Sequence, residues 1–136
     1  MISAILLSAG LSKRFKNGNK LIHKYNRKEI IIYSLKNILK SKIAEIIIVT
    51  GKDHNKFKKI LPKNKKIKVI NNLKYKNGLS FSIKLGIKHI NLNSKGFFIC
   101  LGDMPFFTNS SYNKMIKYFD KSNEHPLVPF FKDQMR

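Results

Sequence analysis

Short apolar runs alternate with amphipathic segments along the chain, and this alternation limits the folds open to it. The strand-length runs are Ser3–Leu7, Ile46–Val49, Ile67–Ile70 and Gly96–Leu101. Several of them are apolar at every residue, as expected for strands that helices cover on both faces. Segments with helical spacing of apolar residues separate the runs. This β-α-β-α order predicts an α/β domain built on a mostly parallel sheet with right-handed crossovers.

Four helices are predicted around this sheet. The first spans Glu29–Lys42, and the second begins at Asp53, a favourable N-cap, and ends at Pro62. Thr108 can cap the fourth helix, and a fifth strand is expected at Leu127–Phe131. The third helix is predicted from an apolar stripe formed by Leu79, Ile83, Ile87 and Ile90.

Length and composition indicate one globular domain in a reducing, cytoplasmic setting. A chain of 136 residues with 43% hydrophobic residues can bury a core without disulfides. No apolar run approaches the roughly 20 residues that a membrane-spanning helix needs. The single cysteine, Cys100, excludes an internal disulfide and any multi-cysteine metal site.

The net charge of +21 suggests a polyanion as partner, but the kind of cation argues against a dedicated nucleic-acid reader. Lysine supplies nearly all of the 28 basic residues, since Arg14, Arg27 and Arg136 are the only arginines. Arginine is the residue that best makes bidentate contacts with phosphates and bases. We therefore expect no specific nucleic-acid partner and no membrane partner, while a basic α/β module that binds RNA or other polyanions without catalysis stays open as the alternative.

Three segments qualify as ligand-binding loops, because open parallel sheets bind ligands beyond the carboxyl ends of their strands. These segments are Ser8–Lys20, Asn71–Ser82 and Gly102–Pro105. The first contains Gly10 and the cations Arg14 and Lys20, so its backbone N–H groups and side chains suit phosphate oxygens. A tight turn with solvated lysines explains the same pattern equally well.

Asp103 is the candidate metal ligand. It is one of only seven acidic residues and directly follows the fourth strand, at the crevice edge of the sheet. Mg²⁺ commonly binds through one or two carboxylates together with substrate phosphates. A loop-turn or capping role for Asp103 competes with this interpretation. The four histidines show no ligand spacing, so a histidine metal site is not predicted.

Together these segments resemble a known family. Leu7-Ser8-Ala9-Gly10-Leu11-Ser12-Lys13-Arg14-Phe15 with Lys20, then Asn72 and Gly78-Leu79-Ser80-Phe81-Ser82, then Leu101-Gly102-Asp103-Met104-Pro105, are similar to the MobA-like nucleotidyltransferase superfamily. The Gly-Leu-Ser-Phe-Ser segment favours its molybdenum cofactor cytidylyltransferase branch. The resemblance implies a Rossmann-like three-layer sandwich, and a Mg²⁺-dependent enzyme that transfers CMP from CTP to a phosphorylated acceptor such as molybdopterin and releases pyrophosphate.

The resemblance also implies roles for individual residues. Arg14 and Lys20 would hold the triphosphate, Asp103 would ligate Mg²⁺, and Ser80 and Ser82 would face the nucleotide or the acceptor. The other residues carried over to nucleotide binding are Ala9, Gly10, Leu11, Ser12, Asn72 and Gly78. For Asn72, a role in shaping the turn is favoured over ligand contact. The guanylyl branch usually has glycine where Ala9 stands, and a methyl group there would crowd a purine, so CTP is expected to be preferred over GTP.

The sequence departs from the family pattern at several positions. Ser8 stands where alanine or glycine is usual, and Glu29 stands where proline is usual. Members normally continue into further strands that carry a second metal-binding acid. Residues 1–136 are therefore expected to form one domain that is incomplete at its C-terminus, binds nucleotide weakly and is inactive or nearly so. Robust turnover would instead indicate that the second acid is dispensable or is supplied by Asp120 or Asp133.

Overall fold

The computed structural model describes residues 1–9, 19–104 and 107–121, and in this part of the chain it shows an α/β sandwich. The strands are β1 (Ile2–Ser8), β2 (Lys24–Tyr25), β3 (Lys28–Glu29), β4 (Glu45–Thr50), β5 (Ile67–Asn71) and β6 (Gly96–Leu101). The helices are α1 (Ile30–Lys40), α2 (His54–Ile60), α3 (Leu79–His89) and α4 (Asn109–Lys121), with a 3₁₀ turn at Tyr75–Asn77.

The main sheet has the order β5-β4-β1-β6, and all its strands are parallel. This confirms the predicted fold class. The chain passes from β1 to β4 and β5 in one direction, and then returns to place β6 on the other side of β1. The direction of the connections therefore reverses between β1 and β6, where open α/β sheets form their ligand crevice.

Helices cover both faces of the central strands, which explains why every residue of β1 and β4 is buried. Helices α1, α2 and α4 pack on one face, around a cluster that includes Leu6, Ile48 and Phe57. Helix α3 packs on the opposite face, against Ile5 and Ile47. The three layers follow from the right-handed crossover rule, since the connection that reverses direction must place its helix on the other face.

Helix α3 buries only part of the predicted stripe, since Ile83 and Ile90 pack in the cluster with Ile5 and Ile47. Leu79 and Ile87 are exposed, and the residues that the helix buries are Ser82 and Gly86. A Cβ atom at Gly86 would lie 2.6 Å from Cγ2 of Ile5, so the missing side chain lets the helix approach β1 closely. The prediction was partly wrong because the small residues Ser82 and Gly86, which carry no hydropathy signal, share this contact face with Ile83.

Strand β6 is apolar on both faces, yet one of its faces is open among the described residues. Phe97, Ile99 and Leu101 are 44–49% exposed on the face that α3 covers further along the sheet. Phe98 and Cys100 point to the other face and pack into the core with α4. Burial raises the pKa of the Cys100 thiol to about 11, as befits a core residue.

A short antiparallel hairpin, β2–β3, precedes α1 and was not predicted. Its turn residues Asn26 and Arg27 both have positive φ, 49° and 72°. Two-residue hairpin turns of type I′ need positive φ at both central residues, and Asn-Gly is their usual sequence. The pair Asn-Arg lacks this signal, so the hairpin could not be predicted. The Tyr33 hydroxyl holds the hairpin by donating to the carbonyl oxygen of Tyr25 at 2.6 Å.

The amino ends of the strands meet a buried carboxylate, Glu45. Its Oε1 accepts hydrogen bonds from the Ser3 hydroxyl at 2.7 Å and the Asn91 N–H at 2.8 Å, and Lys68 pairs with Oε2. Burial by itself would raise the pKa of this carboxyl, but the hydrogen bonds and Lys68 outweigh burial and lower it. Glu45 therefore stays ionised and fixes the amino edge of the sheet.

Both predicted cap residues directly precede their helices, but only one of them makes a capping hydrogen bond. Thr108 Oγ1 accepts a hydrogen bond from the Ser111 N–H, as a cap should. Asp53 precedes α2, but its carboxylate makes no capping bond. The expected strand Leu127–Phe131 lies outside the described residues. Within the described ranges, none of the helices has the length and apolar character that crossing a membrane would require.

Replacing Gly86 with alanine should lower the free energy of unfolding by about 1–3 kcal/mol, because the new methyl group would overlap Ile5. The sign should reverse when Ile5 is also alanine, since the overlap then disappears and the gain in helix propensity, about 1 kcal/mol, remains. Denaturant titration of Gly86→Ala, Ile5→Ala and the double variant measures the cycle. Equal effects of Gly86→Ala in both backgrounds would refute the close contact.

Candidate functional site

The four parallel strands bring their loops to one level at the carboxyl edge of the sheet. The register aligns Leu7, Val49, Ile70 and Leu101 across the strands. Two residues beyond these positions stand Ala9, Gly51, Asn72 and Asp103. Since three strand spacings of about 4.8 Å separate β5 from β6, their ends lie roughly 14 Å apart. The edge can therefore accommodate an elongated ligand.

Gly102, in the loop after β6, contacts the segment that begins at Asn19. A Cβ atom at Gly102 would lie 2.7 Å from Cδ1 of Leu21, so Leu21 packs directly on the glycine. The Gly102 N–H donates to the Leu7 carbonyl oxygen at 3.1 Å, and the Ser34 hydroxyl donates to the Gly102 carbonyl oxygen at 2.7 Å. These contacts fix the backbone positions of Lys20 and Asp103, which flank the packed pair.

Lys20 and Asp103, two of the three predicted catalytic residues, form an ion pair. The Lys20 Nζ lies 3.4 Å from Oδ2 of Asp103, and the side chains are 50% and 41% exposed. The pair sits at the point where the chain connections reverse. A cation and an anion that are both half-exposed can exchange their partners for solutes, unlike the buried Glu45.

Ser8 is the last residue of β1 and Ala9 follows it, and both are buried. The Ser8 hydroxyl donates to the Val49 carbonyl oxygen at 2.8 Å and is buried, which gives the serine a structural role between β1 and β4. Ala9 is 5% exposed and packs in the cluster under α3. Crowding of a purine would require the Ala9 methyl group to project from the sheet edge. The burial of Ala9 shows that it does not.

Asn72 and Ser82, two predicted nucleotide contacts, bind one another. The Asn72 Nδ2 donates to the Ser82 hydroxyl oxygen at 2.9 Å, and its Oδ1 accepts from the Lys74 N–H at 2.9 Å. Both side chains are almost fully buried. The structure thus supports the turn-shaping interpretation of Asn72, which ties the loop after β5 to the first turn of α3.

Gly78 and Ser80 lie at the open N-terminus of α3. Gly78 precedes the helix with a φ of 96°, and no heavy atom lies within 4 Å of where a Cβ atom would stand. Its positive φ explains why glycine occupies this position. Ser80 is exposed, and the helix has no side-chain cap at this end. The arrangement leaves backbone N–H groups available to an anion.

Sequence reasoning missed the contact between Asn19 and Asp53. The Asn19 Nδ2 donates to Oδ2 of Asp53 at 3.0 Å, and Lys56 pairs with the same carboxylate at 3.8 Å. Consecutive residues, Asn19 and Lys20, therefore each bind a carboxylate, one after β4 and one after β6. Asp53 could have been singled out because acidic residues are rare in this chain. Its position before α2 instead favoured the interpretation as a helix cap.

Several predicted residues lie elsewhere. Asp120, offered as a second metal ligand, pairs with Lys95 at the opposite edge of the sheet, because α4 runs back toward the start of β6. The described ranges contain no cluster of three His, Cys, Asp or Glu side chains that could hold a metal. The predicted site residues Gly10, Leu11, Ser12 and Arg14, and the other candidate acid, Asp133, lie outside the described residues.

Comparison with known proteins agrees with the sequence pattern. The family model for the MobA-like NTP transferase domain matches residues 4–136. A curated relative from Thermococcus sibiricus, named "probable molybdenum cofactor guanylyltransferase", is 31% identical over 131 residues, which are 95% of this chain and 62% of the relative. The chain thus spans less than two thirds of that relative's length. The relative's name does not support the expected preference for CTP.

Solved structures share the fold. A nucleotidyl transferase from Methanothermobacter superposes with a TM-score of 0.77 at 22% identity, over 87% of this chain and 57% of that one. The Rv0371c protein of Mycobacterium tuberculosis, in complex with manganese, superposes with a TM-score of 0.68 at 15% identity, over 85% and 58%. The α/β nucleotidyltransferase fold is therefore shown for this chain.

Asn72→Ala should cost about 1–3 kcal/mol in the free energy of unfolding, because it leaves the buried Ser82 hydroxyl and the Lys74 N–H without their partner. Asn71→Ala is the matched control, since Asn71 is the exposed neighbour at the end of β5. Thermal or urea unfolding of both variants measures the difference. Equal free energies of unfolding for Asn72→Ala and Asn71→Ala would show that the Asn72–Ser82 hydrogen bond does not stabilise this loop.

Proposed function

The chain belongs to the MobA-like NTP transferase family, and we propose that it is the nucleotide-binding part of a nucleotidyltransferase. The reaction would move a nucleoside monophosphate from a nucleoside triphosphate to a phosphorylated acceptor. The observation that carries this proposal is the Lys20–Asp103 ion pair at the reversal point of the sheet. It places an exchangeable cation and an exchangeable carboxylate where open α/β sheets bind nucleotides.

The proposed chemistry needs positioning and charge more than a protein nucleophile. An acceptor phosphate oxygen forms a bond to the α-phosphorus, the bond from that phosphorus to the bridging oxygen breaks, and pyrophosphate leaves with the electron pair. Two anions must approach each other for this step. Lys20 and Arg14 would offset their repulsion and stabilise the leaving pyrophosphate, with loop N–H groups holding phosphate oxygens.

The donor set around Asp103 fits a divalent cation that arrives with phosphate. Asp103 offers one half-exposed carboxylate, and the described residues provide no cluster of companion ligands. Mg²⁺ typically accepts one or two carboxylates and completes its shell with phosphate oxygens and waters. When bound, the cation would supply charge stabilisation to the phosphates. The manganese complex of the Rv0371c protein shows that a protein of this fold takes such an ion.

We propose GTP as the nucleotide, in place of the CTP expected from the loop sequence. The name of the Thermococcus relative favours a guanylyl donor. The burial of Ala9 also supports a purine, since its methyl group packs under α3. The same name makes the molybdopterin cofactor the proposed acceptor.

Asp103→Ala should lower Mg²⁺-dependent pyrophosphate release by about 10²- to 10³-fold, because a central charge stabiliser is lost. Asp120→Ala is the matched control, since Asp120 is a similarly exposed carboxylate paired with a lysine, at the opposite edge. The assay follows pyrophosphate from GTP and molybdopterin, with the full-length Thermococcus relative run in parallel. Once the wild-type chain is shown to release pyrophosphate in this assay, equal rates for the two variants would exclude Asp103 from the reaction.

Titration with GTP and CTP in the presence of Mg²⁺ tests the choice of nucleotide. GTP should bind more tightly, by a modest factor, since discrimination by pocket size is worth only about 1–3 kcal/mol. Tighter CTP binding would return the chain to the cytidylyl branch. Salt-sensitive binding to generic RNA that neither nucleotide displaces would instead favour the polyanion-binding alternative.

A further inference from the structure

The carboxylate best placed to bind a cation is already paired with a lysine. Lys20 Nζ lies 3.4 Å from Asp103 Oδ2. A free divalent cation that approaches Asp103 therefore meets a positive charge at ion-pair distance, on a chain whose net charge is +21. Both effects weaken the binding of the cation alone.

The surroundings of the pair allow the lysine to change partner without moving the backbone. Leu21 packs on Gly102, and the Lys20 carbonyl oxygen accepts a hydrogen bond from the His23 N–H at 3.2 Å. The two backbones are thus fixed while both side chains are half-exposed. A rotamer change of Lys20 would suffice to release Asp103, and such changes are fast in exposed side chains.

We propose that Lys20 is a placeholder for the divalent cation. It holds Asp103 in the nucleotide-free protein, and the negative charge of a triphosphate draws its ammonium group away. Asp103 then accepts the cation that comes with the phosphates. The inference rests on the proposed function and adds a specific coupling: the protein rejects the free ion and accepts it together with the nucleotide.

The test measures Mn²⁺ binding without nucleotide, from the paramagnetic resonance signal of the free aquo ion. Lys20→Met should bind Mn²⁺ about three- to tenfold more tightly than the wild-type chain, because a nearby positive charge is gone. Lys84→Met is the matched control, since Lys84 is an exposed lysine on α3 and its loss changes the net charge equally. The gain should disappear in the double variant Lys20→Met/Asp103→Asn.

The result that overturns the proposal is an equal Mn²⁺ affinity for Lys20→Met and Lys84→Met, or a gain that survives in the double variant. Thermal unfolding first verifies that each variant folds. A second arm measures GTP binding, which Lys20→Met should weaken while it strengthens binding of the free ion. Opposite shifts in the two arms distinguish a placeholder from a merely structural lysine. Failure of the wild-type chain to bind any nucleotide would refute the proposed function, whereas the Mn²⁺ arm would still report on the ion pair.

Discussion

The structure depends on the complete burial of β1 between two helical layers. All of its residues are buried, with Leu6 under one layer and Ile5 under the other. Such a strand cannot lie at a sheet edge, so it must pair on both sides and be covered on both faces. Gly86 makes the second cover possible, because it lets α3 approach Ile5 more closely than any side chain would allow. The parallel order and the common level of the loops follow from this arrangement.

Because the strands are parallel, the polar side chains that follow their carboxyl ends lie at one edge of the sheet. In a chain with 28 basic and seven acidic residues, most lysines have no carboxylate to bind. Two of the few acids, Asp53 and Asp103, nevertheless flank the segment after the β1 loop and engage Asn19 and Lys20. The two acids thus hold the segment that begins at Asn19, where cationic side chains alone would repel one another.

The sequence pattern predicted the four main strands and their parallel direction, because buried runs are local signals. It also pointed to the strand ends at which Lys20 and Asp103 meet. It failed where a contact depends on the absence of a side chain or on a distant partner. Gly86 and Ser82 lie on the contact face of α3 beside Ile83, whereas Leu79 and Ile87, which hydropathy also indicated, are exposed. Similarly, Asp53 had a good capping position, and its bond to Asn19 could only be seen once β1 and β4 were neighbours.

The carboxylates at the two ends of the strands, Glu45 and Asp103, differ in burial and in how firmly their partners hold them. At the amino edge, the Glu45 carboxylate is buried and accepts hydrogen bonds from Ser3 and the Asn91 N–H. Its pKa is lower in the folded protein than the ordinary value of 4.5. The resulting stabilisation is present above pH 4.5 and is lost as the pH falls through the pKa of the folded state. At the carboxyl edge, Asp103 has one exposed partner. A buried, saturated carboxylate cannot accept a ligand without breaking the structure, whereas an exposed ion pair contributes little to stability and can be exchanged at little cost. A carboxylate therefore anchors the fold at one end of the strands, whereas the carboxylate at the other end is held only by an exchangeable ion pair.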